Sequence, residues 1–160
     1  MPFRFAANYM NEAFALWITG QPSSGKTTIA HALLGKLEAD AHIHAAHLES
    51  KELQKLMTAE PKSSEQEWFQ RVFLYTGRLL IAHGVPVIFD ATANRGTYRE
   101  AARASIPRFL EIRAQNHESQ ETAPDTGEKS GADIVIDTSE LSVDAAVNLI
   151  EDELRRRHWV

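Results

Sequence analysis

Two apolar periods alternate along the chain. Residues 13–19 (AFALWIT) form a short apolar run that stops at Gly20, which predicts a buried strand. From Lys26 onward Ile29, Ala30, Leu33, Leu34 and Leu37 recur at helical spacing, so a helix starts directly behind the glycine-bearing segment. Residues 42–48 (HIHAAHL) predict a second strand and 51–57 a short helix. Ser64-Glu65-Gln66-Glu67 has the spacing of a capping box. Trp68, Phe69, Val72, Phe73, Tyr75 and Leu80 then give the next helix a broad apolar face, and Gly84 suits the position just past its end. Residues 85–89 (VPVIF) are almost continuously apolar, as in a strand covered on both faces, and Asp90 is expected at its end. A helix over 97–105 and strands over 109–112 and 134–136 follow. Ser142 caps a last helix built on Val143, Ala146, Val147, Ile150 and Leu154, with Arg155, Arg156 and Arg157 at its negative end. Residues 115–131 are polar, hold Pro and Gly, and have no apolar period, so they read as a flexible loop.

Strands that alternate with helices predict an α/β fold, a parallel sheet with helices on both faces. One domain over residues 1–160 suits a chain of this length. Without any cysteine, disulfides, thiolate zinc sites and cysteine nucleophiles are excluded. A net charge of -5 argues against a general nucleic-acid-binding surface. The apolar runs are strand-sized, so no membrane partner is expected. Residues 1–9 lack the apolar core of a signal peptide, and a cytoplasmic location is expected.

The chemistry concentrates in Gly20-Gln21-Pro22-Ser23-Ser24-Gly25-Lys26-Thr27, which matches G-x-x-x-x-G-K-[ST] and sits between a strand and a helix. The glycines let successive backbone N–H groups turn inward onto phosphate oxygens. Lys26 carries a mobile charge to the terminal phosphates, Thr27 offers its hydroxyl to Mg²⁺, and Thr28 opens the following helix. That helix presents its positive end to the same anion. The expected ligands are ATP and Mg²⁺, on a P-loop nucleoside-kinase-like sheet. Asp90, at the carboxyl end of a strand beside this cradle, is a candidate to hold Mg²⁺ or orient a hydroxyl. Asp90-Ala91-Thr92-Ala93-Asn94-Arg95 also looks like the Asp-x-Thr-Asn strand end of polynucleotide kinases and zeta-type toxins.

With the cradle placed, the remaining landmarks resemble adenylylsulfate kinase (APS kinase). They are Leu16-Trp17-Ile18-Thr19-Gly20, Leu48-Glu49-Ser50, Ile81-Ala82-His83-Gly84, Tyr98-Arg99 and Ile134-Val135-Ile136-Asp137-Thr138 with Leu141-Ser142. The resemblance covers most of the chain. It implies transfer of the ATP γ-phosphoryl to the 3′-hydroxyl of adenosine 5′-phosphosulfate, a role in sulfate assimilation, and Arg71 as a contact to the anionic acceptor, with Asn94 on the same side. A homodimer is compatible with the sequence. Two departures stand out. Lys51 occupies the place of the family's basic Asp, with Gln54 where an Arg usually follows. Residues 115–131 contain no Asp-Pro-Lys-Gly-Leu-Tyr lid segment. Lysine is cationic at neutral pH, so Lys51 suits holding an anion better than accepting a proton. These departures keep a second expectation open, a nucleotide-binding regulatory or partner-binding module that does not catalyse transfer. Among His42, His44 and His47, strand alternation puts only His42 and His44 on one face, and no carboxylate framework is evident, so no metal site is expected there.

Overall fold

The computed structural model describes residues 12–56, 63–92, 96–116 and 131–160. The order is β1 (Ala15–Gly20), α1 (Lys26–Ala41), β2 (Ala46–Glu49), α2 (Ser50–Lys55), α3 (Ser63–Ala82), β3 (Val87–Thr92), α4 (Gly96–Ser105), β4 (Phe109–Gln115), β5 (Ile134–Asp137) and α5 (Val143–Arg156). The five strands form one sheet in the order β2-β3-β1-β4-β5. Every pairing is parallel, as the strand–helix alternation requires.

Strand alternation splits the core in two. Leu16 and Ile18 of β1, with Ile88, Leu110 and Ile112, pack against Ile29, Leu33 and Leu37 of α1 and Val147, Ile150 and Leu154 of α5. Trp17, Phe89 and Phe109 face the other way, against Phe73 and Ile81 of α3 and Ala102 and Ile106. Trp17 stacks on Phe89 at 4.8 Å between ring centroids and meets Phe73 edge-on at 5.9 Å. Gly77 lets α3 approach this cluster, since a Cβ there would overlap the Phe89 ring.

Several expectations need correction. Residues 42–45 do not extend β2: His42 caps α1 in the left-handed region (φ 54°), and the strand starts only at Ala46. The helix before β3 contains Ser64 rather than starting after it. Trp68 and Tyr75 do not belong to the buried face, being 58% and 64% exposed, while Phe69 and Phe73 face inward. The apolar stripe of α3 is therefore narrower than its composition suggests. β3 begins two residues later than expected and continues through Ala91 and Thr92, so Asp90 is inside the strand rather than past its end. Gly84 does occupy the left-handed position behind α3 (φ 81°), and its N–H donates to the Ile81 carbonyl. Ser142 caps α5 by accepting from the Ala145 N–H at 3.2 Å. Of the polar stretch, residues 117–130 lie outside the described residues.

Candidate functional site

The loop between β1 and α1 is built by three residues with positive φ: Gly20 (154°), Ser23 (64°) and Gly25 (83°). Glycine is needed at two of them for space as well as angle. A Cβ on Gly20 would run into the Ala114 carbonyl of β4, and one on Gly25 would press on Thr138. Ser23 holds a conformation that costs a serine free energy, and such backbone is kept where it serves a site. Thr138, just past β5, donates its hydroxyl to the Gln115 carbonyl and so fastens β5 to β4 behind the loop.

Lys26 opens α1 and is folded inward, only 4% exposed. Its ammonium donates to the Gln21 carbonyl at 2.8 Å and reaches Ser24 Oγ at 3.5 Å. Burial pulls its pKa below the ordinary lysine value, the Asp90 carboxylate pulls the other way, and the charge of Lys51 adds to the depression. Thr27 donates to Asp90 Oδ2 at 2.7 Å. Asp90 is 1% exposed; burial alone would raise its pKa, but bonds from His47 and Thr27 and the nearby Lys26 charge leave it below the usual carboxylate range. The register Ile18↔Asp90 and Gly20↔Thr92 brings β3 alongside the strand that feeds the loop. Sixty-three residues apart in sequence, the loop threonine and the strand aspartate thus meet.

Thr27 and Asp90 supply a hydroxyl and an ionised carboxylate side by side, an all-oxygen donor pair that fits Mg²⁺. Bound there, Mg²⁺ would offset phosphate charge. Gln21, Pro22 and Thr28 are exposed along the loop and the start of α1, whereas Ser24 is buried beneath it.

The acceptor-side residues are more scattered. Lys51 is exposed at the start of α2, and its field reaches Lys26. Arg71 is exposed on α3 and paired with Glu67 at 2.7 Å. Asn94 and Arg95 lie outside the described residues. Arg99 is turned to Glu111 at 2.9 Å, within an ion-pair network that continues through Arg103 to Asp133 and on to Arg157. A cleft of about 360 Å³ beside this network is lined by Thr97, Arg99, Arg103, Glu100 and Glu111, so its cations are matched by carboxylates.

Sequence reasoning missed His47. The structure brings it to Asp90 and Glu49, with His47 Nε2 3.5 Å from Asp90 Oδ2. The expectation that no carboxylate framework accompanies the histidines is therefore wrong for His47. The two carboxylates come from β2 and from the neighbouring β3, where the register sets Glu49 against Asp90. His44 is on the outside, 80% exposed and facing Glu38.

A family model described as an AAA domain matches residues 16–123. A probable adenylyl-sulfate kinase of Archaeoglobus fulgidus is 33% identical over 101 residues, 62% of this chain and 65% of that protein. A probable adenylyl-sulfate kinase of Pyrococcus abyssi is 31% identical over 103 residues, 63% of this chain and 59% of that protein. The match thus spans less than two thirds of either relative. The Mycobacterium tuberculosis APS kinase CysC, solved in complex with AMPPNP and APS, shares the fold at a TM-score of 0.74, over 90% of this chain and 98% of its own, with 19% identity. No helix among the described residues is long and apolar enough to cross a membrane. The chain belongs to the AAA domain family of P-loop proteins, and it is similar to the probable adenylyl-sulfate kinases and the APS kinase structure named above.

Proposed function

We propose that the chain is a MgATP-dependent phosphotransferase that passes the γ-phosphoryl of ATP to a hydroxyl of a small anionic acceptor, with adenosine 5′-phosphosulfate the leading candidate. The observation that carries this reading is the Thr27–Asp90 bond of 2.7 Å beside the buried Lys26. A cation, a hydroxyl suited to a metal and a carboxylate thus stand close together, which supports the reading. Phosphoryl transfer depends mainly on positioning and on stabilising charge, and these groups supply both. In this reading the loop N–H groups hold the phosphates, Lys26 leaves Gln21 for the terminal phosphate oxygens, and Asp90 keeps Thr27 oriented and holds the Mg²⁺ shell. The name of the Archaeoglobus relative supports the acceptor assignment.

Lys51 favours a second reading. It stands where the resembling kinases carry a basic carboxylate, and a cation there suits an anion-binding, non-transferring nucleotide module. A transfer screen with adenosine 5′-phosphosulfate and other hydroxyl acceptors at saturating MgATP decides between the two. Transfer that falls at least about a hundredfold in Asp90→Asn supports the kinase. Nucleotide binding without transfer to any acceptor supports the module, and absence of nucleotide binding refutes both.

A further inference from the structure

β2 reads Ala46-His47-Leu48-Glu49, and its register with β3 pairs His47 with Ile88 and Glu49 with Asp90. Side chains alternate along a strand, so His47, Glu49 and Asp90 share one face of the sheet, the face that also buries Ile88 against α1. There, one ligand atom from each of the three lies within 4.8 Å of the others. His47 Nε2 and Asp90 Oδ2 are 3.5 Å apart, too long for a strong hydrogen bond. Two ligands at ~2.1 Å from a tetrahedral ion are separated by about 3.4 Å, close to the His47–Asp90 distance, and the three ligand atoms together lie within 4.8 Å.

Two further observations point to an ion. Among the described residues the buried His47 Nε2 makes no hydrogen bond of good geometry, its contact to Asp90 Oδ2 being 3.5 Å long, and a buried nitrogen so weakly partnered is costly. Glu49 and Asp90 are in register on adjacent strands, two carboxylates that a shared cation would reconcile. The ring of His31, one helical turn beyond Thr27, stands edge-on to His47 with centroids 5.0 Å apart and helps to hold the imidazole in place.

We infer that His47, Glu49 and Asp90 form a divalent transition-metal site that takes Mn²⁺, Co²⁺ or Zn²⁺ without nucleotide and prefers them to Mg²⁺. An imidazole with two carboxylates suits these borderline cations. Mg²⁺ asks instead for oxygen ligands in a near-ideal octahedron and gives up its water reluctantly. Three protein ligands would leave room in the shell for water or a phosphate oxygen. The inference goes beyond the phosphotransferase reading, because metal binding here requires neither nucleotide nor acceptor.

The test is a Co²⁺ titration of the chelator-treated full chain, followed by visible absorption, with Mg²⁺ as competitor. NMR of the histidine ring protons and a separate MgADP titration are run on the same preparation. One Co²⁺ should bind per chain and survive a hundredfold excess of Mg²⁺, with selective broadening of the His47 ring signals at sub-stoichiometric metal. His47→Gln should lower Co²⁺ affinity at least about tenfold. Failure to bind one Co²⁺, displacement by equimolar Mg²⁺, or unmoved His47 signals in the wild-type chain would each overturn the site, whatever the variant does. If MgADP binds while Co²⁺ does not, only the metal inference falls. If Co²⁺ binds and MgADP does not, the metal site stands and the nucleotide reading falls.

Discussion

Replacing Lys26 with Met should separate the stability of the fold from its capacity for ATP. Met is unbranched and similar in length, so it fills the inward-facing space that leaves Lys26 only 4% exposed. The variant loses the ammonium bond to the Gln21 carbonyl, worth roughly 1.5–3 kcal/mol for a charged donor. It also escapes the cost of holding an ammonium out of water, several kcal/mol per ion, and the repulsion from Lys51. Gln21 is exposed, so its carbonyl can take water instead. The net expectation without ligand is a chain from unchanged to about 2 kcal/mol more stable. The pH dependence follows in sign. Burial puts the folded Lys26 pKa below 10.5, so wild-type stability rises with pH between the folded and unfolded values, and the gap to Lys26→Met narrows there. For ATP, an ammonium about 4 Å from a phosphate charge gains up to about 4 kcal/mol at an effective dielectric of about 20. Competition with water leaves about 2–3 kcal/mol, a roughly 30- to 150-fold loss of affinity in the variant. ADP lacks the terminal phosphate and should lose only about fivefold. Urea unfolding and calorimetry at fixed ionic strength measure both halves. A variant destabilised by more than about 1 kcal/mol would refute the burial argument, and equal losses for ATP and ADP would refute the role at the terminal phosphate.

Gly77→Ala gains about 1 kcal/mol of helix propensity but forces a methyl onto the Phe89 ring, so it should lose about 1–2 kcal/mol net in urea unfolding. Gly35→Ala, with nothing within 4 Å of its added methyl, should stabilise by about 0.5–1 kcal/mol; the same sign for both variants would contradict the packing. Acid should unfold the chain through its paired carboxylates: Arg156 and Arg157 hold Glu153 down at about 2 from 4.5, and Asp133 is also lowered, its burial outweighed by the Glu111 amide and Arg103. Stability should therefore be full above about pH 5 and fall toward pH 2, and a flat profile there would remove these pairs from the account. Lys51→Asp reverses the charge that depresses Lys26 and should raise any transfer to adenosine 5′-phosphosulfate in a paired assay at saturating MgATP; collapse of a brisk wild-type rate would show that the lysine is the working residue.

The fold was legible wherever apolar period and punctuation agreed. β1 is apolar from Ala15 to Ile18 and stops at a glycine, α1 repeats its apolar residues through Leu37, and Ser142 and Gly84 mark their helix ends by side-chain and backbone chemistry that is local. The misreadings arose where composition was uninformative about direction. Trp68 and Tyr75 are aromatic like Phe73, but the packing on the sheet decides which side of α3 is inside, and it selects the side where Gly77 admits Phe89. His42, Ile43 and His44 resemble strand residues, yet α1 runs to Ala41 and spends His42 on its left-handed cap.

The same distinction governs the site. The phosphate loop is contiguous and its conformation is set by its immediate neighbours, so the motif could be read from eight letters. Asp90 was found by a rule about strand ends that needs only the order of strands, even though its strand continues two residues further. His47 obeys no local rule. Its significance comes from β2 lying beside β3 in a register that sets Glu49 against Asp90, and that pairing is decided by crossovers through α1 and α3. Arg99, a landmark of the resemblance, is engaged elsewhere: Glu111, a buried carboxylate of β4, pairs with it at 2.9 Å. A carboxylate buried in β4 needs a cation more urgently than an exposed pocket does, because the unpaired charge would cost several kcal/mol. Buried charge thus sets where the arginines go. Among the described residues, Lys26, folded over its own loop, and Lys51, exposed within reach of its field, are two cations that the buried carboxylate of β4 does not claim.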